Sequence, residues 1–73
     1  MRRFTDPSGD AWDVVVGRES FGTMLALFVP AAGNRAGPRQ TVLAAVSQVD
    51  AEAELDAARL DALFERSTPK ETG

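Results

Sequence analysis

Residues 23–30, TMLALFVP, decide how this chain folds, because the apolar run from Met24 to Val29 fits either a strand or a buried helix. Its shortness favours a strand, since Pro30 ends the run before two helical turns are complete. Alternation then places Met24, Ala26 and Phe28 on one side, with Leu25, Leu27 and Val29 on the other. A strand apolar on both sides belongs in the middle of a sheet or beneath cover on both faces.

Working outward, RRFT (2–5) and AWDVVVG (11–17) flank DPSGD (6–10), a cluster of turn-forming residues, and predict a β-hairpin. In its second strand Trp12, Val14 and Val16 share one face, and Asp13 and Val15 share the other. Phe4 is placed to pair across from the aromatic and aliphatic face. Beyond Pro30, AAGNRAG (31–37) reads as an open loop. PRQTVLAA (38–45) gives a fourth strand, with Pro38 at its start, where a missing N–H is tolerated.

After residue 49 the apolar period becomes helical, predicting one helix over about residues 50–66. Asp50 serves as N-cap, Glu52 suits the first turn, Arg66 suits the last, and STP stops the helix at Pro69. Ala53, Ala57, Leu60 and Phe64 form the inward stripe, with Leu63 on its flank. Leu55 projects to the opposite side. Either it meets a partner, or the helix breaks near Asp56 and that residue caps a second segment. The expected fold is therefore α+β: a four-stranded antiparallel meander, open or curled toward a barrel, packed by one C-terminal helix. Residues 1–67 form a single domain and residues 68–73 a flexible tail.

Composition narrows the chemistry. The 73 residues contain no cysteine and no histidine, which excludes disulfides, zinc fingers, thiol nucleophiles and imidazole bases. No metal and no cofactor are expected. No apolar run approaches the ~20 residues of a membrane span, and MRRFTDP lacks an apolar signal core, so the expected location is the cytoplasm. The wealth of Ala, Arg, Asp and Val fits a GC-rich bacterial genome. Net charge is −3. Residues 1–40 carry five arginines against four acids, and residues 41–73 carry three bases against seven acids.

GRESFGT (17–23) has the glycine spacing and hydroxyl of a phosphate-cradling G-x-x-x-x-G-K-[ST] loop, but it lacks the lysine and leads into a strand instead of a helix. It is better read as a bend whose Phe21 calls for a role. Arg35 and Arg39 lie four apart beside glycine, a fork suited to phosphate or carboxylate. Their spacing resembles half of the cyclic-dinucleotide motif of PilZ domains. The likeness covers those two residues, and the companion D/N-x-S-x-x-G element is absent. Convergence of Arg2, Arg3, Arg18, Arg35 and Arg39 would make a nucleic-acid or phosphorylated-ligand site. Asp50, Glu54, Asp61 and Glu65 align on one side of a continuous helix and read as a solvated acidic stripe. Ser20, Ser47 and the carboxylates have no base to activate them, so an enzyme is not expected.

The surplus of apolar strand residues carries most weight. One helix covers one face of a four-stranded sheet, here the side of Trp12, Val14, Phe28 and Val42. Val15, Leu25, Leu27, Val29 and Leu43 then need other cover, either inside a barrel or against a partner. Val15, Phe21, Leu25, Leu27, Leu43 and Leu55 are the candidate contacts. The expected function is a non-enzymatic interaction module, a bacterial accessory or regulatory subunit binding itself or a larger protein.

Overall fold

The computed structural model describes residues 2–19 and 21–70. β1 (Arg2–Thr5), β2 (Ala11–Arg18), β3 (Met24–Pro30) and β4 (Arg39–Val42) run as an antiparallel meander. Helices α1 (Gln48–Ala57) and α2 (Leu60–Arg66) follow, and β5 (Thr68–Pro69) returns antiparallel to β4. The strand order β1-β2-β3-β4-β5 leaves β1 and β5 at opposite edges, so the sheet is open and the barrel alternative falls away. β3, the TMLALFVP segment, is its middle strand.

Two hairpin loops share one construction. In the first, Gly9 at φ +90° donates to the Asp6 carbonyl, and the Asp6 amide donates to Asp10. In the second, Gly22 at φ +83° donates to Glu19, and Glu19 donates to Thr23. Both glycines occupy the left-handed region, where a side chain is disfavoured. The glycines of GRESFGT thus serve strand geometry.

Register assigns the faces. Phe4 opposes Trp12, Val14 opposes Phe28 and Val16 opposes Ala26, so these residues point to one side. Both helices pack there, around a core of Trp12, Val14, Met24, Ala26, Phe28, Leu43, Ala51, Leu55 and Leu63. Phe64 sits among aromatic rings, with centroids 5.2 Å from Trp12, 5.2 Å from Phe28 and 5.3 Å from Phe4.

The single helix expected over 50–66 is two. Its backbone turns extended at Ala58 (ψ 154°) and Arg59 (ψ 112°), two residues past Asp56. Leu55 and Phe64 are nine residues apart, which on a straight helix puts them on opposite sides. The break lets Ala51 and Leu55 of α1 and Leu63 and Phe64 of α2 reach the same sheet. Ala53 and Ala57, expected inward, are exposed. The N-cap is Ser47, whose hydroxyl accepts from the Asp50 amide at 3.2 Å, so α1 starts before Asp50. Asp56 caps nothing and instead binds Arg2.

The expected tail begins with structure: Thr68 and Pro69 pair with β4, and the Lys70 amide donates to the Pro38 carbonyl at 2.9 Å. Residues 71–73 lie outside the described residues, as does Ser20. Among the described residues no helix is long and apolar enough to cross a membrane.

Candidate functional site: the uncovered face of the sheet

With both helices on one side, the other face of the sheet has no covering element among the described residues. Alternation puts Arg3 of β1, Asp13, Val15 and Gly17 of β2, Leu25, Leu27 and Val29 of β3, and Gln40 and Val42 of β4 on it. Val29 is 41% exposed and Val42 56%, high values for valines in a sheet. Val15 and Leu27 are half-buried. Leu27 lies down across β2: a Cβ added at Gly17 would stand 2.5 Å from Leu27 Cδ1. The absent side chain at Gly17 is what gives Leu27 that resting place.

The face has polar margins. At the β1 edge Arg3 Nε donates to Asp13 Oδ1 at 2.8 Å, directly across the strand pair. Toward β5 stand Gln40 and Thr68, which border an open groove of about 390 Å³ together with Leu25, Thr41, Val42 and Arg66.

Of the six expected contacts, three are not available on the surface. Leu25 is 3% exposed, Leu43 4% and Leu55 1%. Leu25 lies on the open side but is tucked at the edge of that groove. Leu43 and Leu55 belong to the core beneath the helices. Val42 and Leu43 exchange the faces expected of them, because Val42 pairs with Leu25 and Leu43 donates to the Met24 carbonyl just beyond β4. Adjacent apolar residues do not reveal which one faces inward, since a one-residue slip swaps them.

Phe21 is 97% exposed at the tip of the β2–β3 loop, where it braces nothing. Val46 (81%) and Val49 (77%) are the next most exposed large apolar residues. They follow β4 at the same end of the sheet, because Leu43 abuts Met24. Their signal in the sequence was Ser47: read as the N-cap, it puts Val46 before the helix and Val49 in its first turn.

The five arginines share no face. Arg2 points to the helix side, where it reaches Glu52 at 3.2 Å and Asp56 at 2.7 Å. Arg3 is on the other side, paired with Asp13. Arg39 donates to Ser67 Oγ at 2.8 Å and lies 5.3 Å from the Phe64 ring centroid, so it clasps the end of α2 to the sheet. Arg18 ends β2 at one end of the sheet, and Arg35 follows β3 at the other. β1 and β4 are three strand spacings apart, roughly 14 Å. The PilZ-like pair is split as well, with Arg35 exposed and Arg39 engaged.

The acidic stripe dissolves with the helix break. Glu54 turns back to accept from the amides of Ala44 (3.1 Å) and Ala45 (2.9 Å), fixing the approach to α1. Asp61 and Glu65 border a second open groove of about 610 Å³ with Pro7, Arg39 and Phe64. The Arg59 guanidinium beside Asp61 holds that carboxyl below its usual range, which favours the ionised form. Among the described residues no three acids gather as a metal site. Compared with protein-family profiles, curated proteins and solved structures, the chain matches none.

Proposed function

We propose that this chain is a non-enzymatic protein-interaction module, an accessory or regulatory subunit of the bacterial cytoplasm that docks through the uncovered face of its sheet. The observation that carries this reading is the one-sided placement of both helices, which leaves Val15, Leu27, Val29 and Val42 without a covering layer. Leaving such side chains against water forgoes about 25 cal/mol for every Å² of apolar area that cover would remove. A contiguous apolar patch on a small domain marks an interface. Phe21, Val46 and Val49 extend the apolar surface at one end of the sheet. The arginine-based alternative draws no support from cations that scatter over two faces and two ends.

The test is site-specific photo-crosslinking in the native host. A reactive side chain at position 29 or 42 is expected to capture protein, either another copy or a larger partner. The same reporter at Ala53, exposed on α1, is expected to capture little. Equal labelling from the two sides would overturn the reading.

A further inference from the structure

We propose that the occupant of the open face is a second copy of this chain, giving a symmetric four-layer dimer with two sheets face to face and the helices outside. The inference rests on the interaction-module reading and names its partner.

Three features select a like copy over a charged partner. First, among the described strand residues that alternate onto the face, the charged side chains Arg3 and Asp13 neutralise each other at 2.8 Å. Arg66 of α2 stands at the β4 margin, donating to the Val42 carbonyl. The surplus acid lies elsewhere: Asp50, Glu52, Glu54, Asp56, Asp61 and Glu65 are all on α1 and α2. A basic partner would therefore be drawn to the helices and not to the sheet. Two copies meeting by their sheets keep both acidic layers apart by two sheet thicknesses, beyond the ~8 Å Debye length of physiological salt.

Second, the face is arranged like the centre of a self-complementary contact. Val15, Leu27 and Val29 occupy the two longest strands, with Arg3 and Asp13 at one margin and Gln40 and Thr68 at the other. An apolar centre inside a polar rim is the usual anatomy of a stable interface. Leu27 folded over Gly17 keeps that centre low, as sheets packed about 10 Å apart require.

Third, the size suits a weak dimer. Strands of 4, 8, 7, 4 and 2 residues, at the usual rise and spacing, give a face of roughly 400 Å². Two such faces bury on the order of 800 Å², the size of a weak, concentration-dependent contact and not of an obligate dimer. The molecule itself is 19 Å in its thinnest dimension, one sheet and one helix layer. Its mate supplies the missing third layer.

The experiment is sedimentation equilibrium between about 10 µM and 1 mM on the wild-type chain and on the Val29→Glu/Val42→Glu variant. Both positions are exposed, so the variant keeps its fold, and circular dichroism verifies this. Concentration-dependent dimerisation of the wild type, abolished in the folded variant, is the expected result. A strictly monomeric wild type overturns the dimer, and so does a variant that dimerises as well as the wild type. If the wild type is monomeric while a crosslinker at position 29 still captures another protein, the dimer fails and the interaction-module reading stands. If it captures nothing, both fail.

Discussion

The Trp12 indole Nε1 donates to Asp6 Oδ2 at 2.9 Å, so a side chain at the centre of the core also pins the first hairpin turn. The other carboxylate oxygen of Asp6 accepts from the amides of Ser8 (2.9 Å) and Asp10 (3.0 Å). One half-buried acid thereby joins turn geometry to core position.

That junction is sensitive to pH. The Trp12 indole, with the backbone amides of Asp10, Ser8 and Gly9, holds the Asp6 carboxyl below its ordinary value against an opposing desolvation. A lowered folded-state value stabilises the fold above the unfolded pKa, about 3.9, and that stabilisation is lost as pH falls through the folded value. Asp6→Asn is therefore expected to be less stable than wild type at pH 7, with the gap closing in strong acid. Urea midpoints from pH 7 to pH 2 measure it; a gap constant over that range would contradict the assignment. In Trp12→Phe, NMR titration should find the Asp6 carboxyl nearer its ordinary value.

Leu55 and Ala53 exchange the roles a continuous helix would give them. Leu55→Ala is expected to cost about 2–5 kcal/mol, as for other large-to-small changes in a core, because Leu55 is 1% exposed. In a domain this small such a loss approaches the whole stability. Ala53→Ser, on the solvent side of α1, should stay within about 0.5 kcal/mol of wild type. Chemical denaturation of the two variants decides whether the helix breaks in solution; similar costs would favour an unbroken one.

Gly17 and Leu27 form a coupled pair. Gly17→Ala places a methyl where Leu27 Cδ1 now rests, and Leu27 escapes by swinging outward over the open face. The expected cost is about 1–2 kcal/mol, the lower part of the range for overpacking. The cost should shrink in a Leu27→Ala background, giving a coupling energy of at least about 0.5 kcal/mol in a double-mutant cycle. Additive effects would show that Leu27 does not lie across β2.

Phe21→Ala is expected to leave stability unchanged within about 0.5 kcal/mol, since the ring is 97% exposed. Thermal unfolding is the check. A substantial drop in midpoint would mean that the ring braces the loop after all.

Local chemistry made much of the fold legible. Turn residues marked the hairpin at DPSGD, the short apolar run before Pro30 marked β3, and two-residue alternation gave the faces of β2 and β3 correctly. Each of these depends on a residue and its near neighbours in sequence. The surplus apolar surface behind the candidate site was legible for the same reason, since a strand apolar on both sides declares itself without knowledge of its neighbours.

The remainder was decided by packing. No glycine or proline marks Ala58 and Arg59. The sequence signalled a break near Asp56 only through Leu55, which a continuous helix would turn away from Phe64, and the break exists because both must bury against one sheet. β5 is two residues long and gains its partner only once α2 has returned the chain to β4. Whether Val42 or Leu43 faces the helices rests on one residue of register against β3. The sequence by itself determined the strands, the turns and the excess of apolar surface, because those follow from period and local conformation. Which residues form the open face was left to the tertiary structure, because burial is shared among elements far apart in the chain.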